Sequence, residues 1–344
     1  MHTNNLSKLQ KNMRKLFMIL LLFSIFLGIY HFFSTSASTI YRPNIDQIQA
    51  KVVIERLDEK LFAVKSKSEV ANLLQAFPLF LAQFLATKDP AAIIDQLHAM
   101  SQDAAMQELY KEVHATFPDL SQLEQQLSTA FRYIKFYYPS FKVPQVITLI
   151  TGMGTDLYVS SDLIVISLDF FLGENATYHP HHLPRYLLRT YQPDYIAPKI
   201  ISLLANQFVT VNENDHTLLQ EMIYAGKVYY FTHFLLPDLP EEMVLGYTKQ
   251  QWKATDEHKH FVWAHFIDKA LFYEKNHMIK KKYLGDRPFT AEIGPECPGN
   301  IGGWLGYQLV KSYMQHNKTI TLPLLMQEPN AQIIFSKAHY RSKK

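Results

Sequence analysis

Histidine, glutamate and cysteine are the side chains through which this 344-residue chain could do chemistry, and their spacing decides which chemistry is open. Two histidines four apart on a helix, with a glutamate beside the first, would grip zinc and set a general base next to it. That pattern, His-Glu-x-x-His, occurs nowhere in the chain. His179-Pro-His181-His182 is dense but lies in a Tyr- and Pro-rich stretch, where it reads either as solvated loop histidines or as a metal-binding triplet. His258 and His260 are two apart on an expected helix, hence on different faces, and would not chelate together. Glu221, in Leu218-Leu-Gln-Glu-Met-Ile-Tyr-Ala-Gly226, stands on an expected helix where a third metal ligand would serve. The competing reading is a partly buried carboxylate paired to a neighbour. Cys297 is the only cysteine, which excludes an internal disulfide and a multi-cysteine zinc site. A thiolate nucleophile there would want a neighbouring base, and none is evident between Glu296 and Pro298. Neither a Gly-x-Ser-x-Gly elbow nor a phosphate-binding glycine loop is present, and no cofactor is expected.

The elements that would position these residues are legible from periodicity. Ser68 to Ala86 is apolar and split by Pro78; Pro90 to Met100 and Asp103 to Phe117 follow as helices. Ser121-Gln-Leu-Glu124 has the form of a capping box that would launch a helix to Tyr138. From Lys142 the texture changes to short β-branched runs, Val143 to Thr151 and Leu163 to Leu168, with Leu157 to Ser160 between them. Helices return over Ile196 to Val209, with Asp194 as N-cap, and over Thr217 to Leu236. Thr248-Lys-Gln-Gln251 is a second capping box, starting a helix to about Tyr273. Gly299, Gly302, Gly303 and Gly306 then fall three and four apart, beside Ile301, Trp304, Leu305 and Leu309 at helical spacing. Either this is a helix whose glycine side something must approach closely, or a glycine-rich loop running into a helix near Trp304. In both cases it packs against earlier helices as the keystone of the fold.

The fold class is therefore α+β, mostly helical with a small β-sheet. Small sheet, helix, second helix is the layout of zinc-dependent peptidases, so the architecture expected is a degenerate zincin-like metallopeptidase. Its first helix, Ile200-Ile-Ser-Leu-Leu-Ala-Asn-Gln-Phe-Val209, holds no histidine and no glutamate. Asn206 and Gln207 replace neither an imidazole nor a general base.

Charge and hydropathy set the compartment. Residues 1–15 carry Lys8, Lys11, Arg14 and Lys15 and no acid, reading as a basic cytoplasmic tail; the rest has 30 basic against 31 acidic residues. A nearly neutral body has no footprint for nucleic acid. Residues 16–33 hold no Lys, Arg, Asp or Glu and as a helix span about 27 Å, enough for the hydrocarbon layer. The segment is a transmembrane anchor or a signal segment cleaved among Ser34 to Thr39, with the basic flank inside. Residues 34–48 then form a linker and 49–344 an exported domain, inner-membrane anchored in the periplasm or secreted.

The chain resembles the GldB gliding-motility lipoproteins of the Bacteroidetes envelope. The resemblance rests on Glu108-Leu-Tyr-Lys-Glu-Val113, Phe131-Arg-Tyr-Ile-Lys-Phe-Tyr-Tyr-Pro139, Pro144-Gln-Val-Ile-Thr-Leu149 and Ile164 to Gly173. Further pieces follow in order: Gln220-Glu-Met-Ile-Tyr-Ala-Gly-Lys227, Leu235-Leu-Pro-Asp238, Gly246-Tyr-Thr248 and Pro298-Gly-Asn-Ile-Gly-Gly-Trp-Leu-Gly-Tyr-Gln-Leu-Val310. It implies a non-catalytic envelope protein needed for gliding and the associated protein secretion, with other components of that machinery as partners. It also implies kinship with predicted zinc peptidases whose His-Glu-x-x-His is missing. The family is lipid-anchored through a cysteine after the signal segment; Ser34 to Thr39 contains none, so anchorage rests on residues 16–33 or is lost. The former cleft is expected to be a partner-binding surface around Glu221, Gly302, Gly303, Trp304, Gly306 and Tyr307. Two alternatives stay open: a zinc peptidase using Glu221 with histidines from 179 to 182, and an envelope binding module unrelated to motility.

Overall fold

The β-branched runs form a four-stranded sheet in the computed structural model, which describes residues 40–87 and 89–340. The expected tail and apolar span at 1–33 lie outside the described residues. Among the described residues no helix is long and apolar enough to cross a membrane. The packed unit begins at Pro43, inside the segment expected as linker, and Ile45 is already buried.

The strands are β1 (Ile54–Arg56), β2 (Gln145–Leu149), β3 (Leu157–Val159) and β4 (Leu163–Ser167), in the order β1-β2-β4-β3. β1 and β4 flank β2 in parallel, with Ile54 and Ile164 both beside Val146. β3 closes the far edge antiparallel to β4, Tyr158 facing Val165. Val146, Ile147, Leu163, Ile164, Val165 and Ile166 are buried on both faces, which is why their runs read as unbroken apolar stretches. β1 is not expected from sequence, because three residues carry no period. Distant partners specify it instead. Ile54 N–H donates to Glu124 Oε1 at 2.7 Å, and the fully buried Asp58 pairs with Arg56 at 2.8 Å and accepts the Thr148 hydroxyl.

That use of Glu124 corrects one expectation. The first capping box does not form: Ser121 occupies the first helical position, its N–H held by Asp119 Oδ1 at 3.1 Å, and Glu124 is drawn to the strand. The second box forms as expected, with both the Thr248 and Gln251 side chains engaged.

The helices are α1 (Leu57–Ala63), α2 (Lys67–Ala76), α3 (Pro90–Gln102), α4 (Ala104–Thr116), α5 (Ser121–Tyr137), α6 (Arg185–Leu188) and α7 (Ile196–Ala205). Then come α8 (Leu218–Leu235), α9 (Glu241–Val244), α10 (Lys249–Glu257), α11 (Lys259–Asp268), α12 (His277–Leu284), α13 (Ile301–His316), α14 (Leu322–Gln327) and α15 (Ala331–Lys337). α7 is preceded by a single turn at Pro193–Tyr195, so Asp194 does not cap it. The long helix expected from Thr248 breaks at His258, whose ring Nδ1 donates to the Ala254 carbonyl (2.9 Å) that the helical ladder also uses.

Among the described elements, α8 and α13 pack on each other most extensively. α8 is apolar on nearly all sides, as a helix surrounded by others must be. The glycine stretch is helical from Ile301, which settles the two readings in favour of a close approach. A Cβ on Gly306 would fall inside the Met222 carbonyl, and one on Gly226 inside the carbonyl of Gly306. Alanine at an ordinary mid-helix glycine adds about 1 kcal/mol of helix propensity. Here Gly306→Ala is expected to cost about 1–3 kcal/mol by forcing the backbones apart. The fall should appear as a lower guanidinium midpoint at unchanged slope; a variant as stable as the parent would show that the contact is not tight.

Candidate functional site

α7 buries Ile196, Ala197, Pro198, Ile200, Ile201, Leu204 and Ala205, which leaves Lys199, Ser202 and Leu203 for its remaining face. That face borders a cavity of ≈ 310 Å³. Opposite it stand the start of β3 (Asp156, Leu157), the segment after α6 (Arg189 to Tyr191), Asp286, and the turn Pro298 to Asn300 that leads into α13. The pair four apart that looks into the hollow is Lys199 and Leu203, and Leu203 is 44 % exposed. A second, more open hollow of ≈ 520 Å³ around Tyr138 and Phe208 has only Lys142 and Asp162 for charge.

The polar groups of the first cavity are held from behind. Arg189 donates from Nη1 to the Tyr186 carbonyl at 2.7 Å and from Nη2 to the Gly246 carbonyl at 3.0 Å. Tyr247 donates to the Gly299 carbonyl at 2.9 Å; it is buried, and burial holds its phenol well above the usual range. Asn300 sits in the left-handed region at φ 57°, which asparagine tolerates, and donates from Nδ2 to the Tyr229 hydroxyl at 2.7 Å. Asp156 accepts the Leu157 N–H on Oδ1 at 2.7 Å and the Tyr191 hydroxyl on Oδ2 at 3.0 Å. Burial first, and the Asp156 charge second, raise the Tyr191 phenol. Lys199 Nζ lies 3.9 Å from the centroid of the Tyr191 ring, a cation–π contact. Burial lowers its pKa, and Asp156 and Asp286 pull it back up.

The loop that delivers Asp156 is pinned by Asp169. This carboxylate is 1 % exposed and accepts the Thr151 N–H at 3.2 Å and the Met153 N–H at 2.6 Å, with Met153 in the left-handed region at φ 63°. Burial pushes Asp169 up to about 6 against the opposing pull of those N–H groups. Its folded pKa thus lies above its ordinary value of 3.8. Between those two values the folded chain holds a proton that the unfolded chain releases, so stability is lost as pH rises from about 4 to about 6, by up to about 3 kcal/mol. Denaturation midpoints at pH 4, 5 and 6 should show that decline, and Asp169→Asn should flatten it; an identical slope in the variant would remove Asp169 as its source.

The residues expected from sequence lie elsewhere. Glu221 pairs with Lys280 of α12, a nearly buried lysine that also donates to the His216 carbonyl at 2.8 Å. Trp304 and Tyr307 are fully buried, and Tyr307 O–H meets His233 Nδ1 at 2.7 Å. Gly302 and Gly303 face Leu284 and the Asn300 side chain, and Gly306 faces α8. These six positions serve the interior rather than an open surface, except for the half-exposed Glu221. His179 bonds the Glu174 carbonyl at 3.1 Å. Among the described residues no three of His, Cys, Asp and Glu gather as a metal-binding group. Burial pushes the Cys297 thiol up to about 11, the opposite of a reactive thiolate. Sequence reasoning missed Lys199, although it is the one charge in the apolar run from Tyr195 to Asn206. It also missed Asp156 and Tyr191, which only the fold brings together.

A family model described as gliding motility protein GldB matches residues 38–342. No curated protein and no solved structure matches the chain. The match spans nearly all of the sequence and takes in every wall of the cavity: the chain belongs to the GldB family of gliding motility proteins.

Proposed function

We propose that this GldB-family chain works in gliding motility as a membrane-tethered, non-catalytic envelope protein, and that the cavity beside α7 holds a segment of another component of the gliding or secretion machinery. Membership of the family carries the role in gliding. What supports the rest is the chemistry of one helix face. In a zincin-like arrangement the helix after the sheet would offer two imidazoles four apart and a carboxylate. The corresponding face here offers an ammonium at Lys199, a hydroxyl at Ser202 and an isobutyl group at Leu203. That donor set does not hold a zinc ion. Tethering rests on the apolar stretch at 16–33, since Cys297 is the only cysteine and lies far from any leader for lipid attachment. A hydrolase with Glu221 as ligand has no supporting observation, because Glu221 is committed to Lys280 and does not border the cavity.

The test is Leu203→Arg, which fills the cavity mouth from an exposed position and leaves the core intact. In a gliding host lacking its own copy, the variant should accumulate normally yet fail to restore colony spreading. Glu221→Gln should restore it. Normal spreading with Leu203→Arg would remove the cavity from the function.

A further inference from the structure

We infer that the cavity and the adjoining edge of β3 together receive an extended segment of a partner protein, added as a fifth strand, with an acidic side chain seated on Lys199. The inference rests on the partner-binding reading above and names the chemistry of what binds.

The edge comes first. β3 ends the sheet, so one of its sides has no strand beside it. Its ladder with β4 is fixed by Ser160 N–H to the Leu163 carbonyl at 2.9 Å and Ser167 N–H to the Asp156 carbonyl at 3.0 Å. In an antiparallel pair hydrogen-bonded and non-bonded positions alternate. Ser160, Tyr158 and Asp156 therefore turn their backbone groups to β4, and Leu157 and Val159 turn theirs outward. The Leu157 N–H is taken by the carboxylate of Asp156 at 2.7 Å. The carbonyl of Leu157 and both groups of Val159 remain for an added strand.

The faces come second. Tyr158 packs edge-on against Phe84, with ring centroids 5.9 Å apart, and belongs to the apolar cluster under the sheet. Leu157, on the opposite face, borders the cavity. A strand laid beside β3 would alternate in the same way, so every second side chain would look toward α7.

The charge comes third. The cavity is bordered by Arg189, Lys199 and Arg287 against Asp156 and Asp286, three positive and two negative, or +1. Arg189 is spent on backbone carbonyls, and Arg287 reaches Glu292 at 3.4 Å. Asp156 is spent on Leu157 and Tyr191. Lys199 makes no ion pair with any described carboxylate and touches only the Tyr191 ring among the contacts of its ammonium. A half-buried ammonium that no described carboxylate pairs with is a seat for one. Lys199, Tyr191, Asp156 and Leu157 are linked in series, so seat and strand edge lie side by side.

The probe is a panel of fluorescein-labelled, C-amidated heptapeptides built on alternating Thr and Val frames, each made with a central Glu and again with a central Gln. Fluorescence anisotropy on the packed unit, residues 43–344, should show the Glu peptides binding about tenfold more tightly than their Gln partners. Lys199→Met should bring the two series together, Lys199→Arg should keep them apart, and Val159→Pro should weaken both by removing an edge N–H at a position where an edge strand accepts proline. Melting curves check that each variant is folded. Equal binding of the two series, a Glu preference that survives Lys199→Met, or no saturable binding by any peptide would each overturn the assignment. If Leu203→Arg stops gliding while the two series bind alike, the cavity is still a partner site and only the acidic strand is wrong. If Leu203→Arg glides normally, the partner-binding reading fails by itself.

Discussion

The fold depends on backbone meeting backbone where α13 crosses α8. Gly226 and Gly306 let the two helices approach until the carbonyl of Met222 occupies the place of a side chain. Helices normally stand 8–10 Å apart, a distance set by the side chains between them. Removing those side chains on both partners brings the axes closer and fixes the register of α13, because a shift of one residue would put a side chain into a carbonyl. Trp304, Leu305, Leu309 and Val310 then surround the contact, all fully buried. Next to Gly226, Lys227 is 2 % exposed and donates to the carbonyls of Thr210, Met326 and Glu328. Burial lowers its pKa to about 8, yet three carbonyl partners compensate the ammonium. One turn of α8 therefore holds α13 by the absence of side chains and α14 by the presence of one.

This contact reaches the cavity through the entry to α13. Asn300 and Gly299 precede the helix, and each is fixed to a tyrosine, Tyr229 on α8 and Tyr247 after α9. With α13 set in place, those tethers determine how far the Pro298–Asn300 turn stands from α7, and so the width of the hollow. The wall on the other side is set by the sheet, through Asp169 and the loop it grips. The two walls come from opposite halves of the chain and meet only because one core joins them.

Legibility in the sequence followed range. α+β with a small sheet, the long α8, the Thr248 cap and the keystone role of the glycine stretch rest on residues close together in the chain, and periodicity or local hydrogen bonding reveals them. β1 was not legible, since Ile54–Arg56 is a strand only because Val146 lies beside it. The false capping box has the same origin: Glu124 fits the local pattern, but a bond to Ile54 seventy positions away takes its carboxylate. The orientation of side chains on the helices is illegible for a related reason. Residue type does not say which way a helix turns. Trp304 and Tyr307 turn inward, whereas Lys199, unremarked in an apolar run, turns toward the opening.

The setting of Lys199 also explains why a charge persists on so apolar a helix. Burial alone would favour the neutral amine, and the ring of Tyr191 and the carboxylates of Asp156 and Asp286 work against that loss. The ring contact is particular in what it leaves free. A salt bridge would direct the ammonium's N–H groups at a carboxylate and use them up, whereas an aromatic face stabilises the charge through its quadrupole. Tyr191 is itself fixed by its hydroxyl on Asp156, so the lysine chain is ordered before any ligand arrives. Ordering a flexible side chain costs about 0.5–1.5 kcal/mol when binding has to do it. In this cavity the hydroxyl of Tyr191 on Asp156 and the ring contact with Lys199 have already done so.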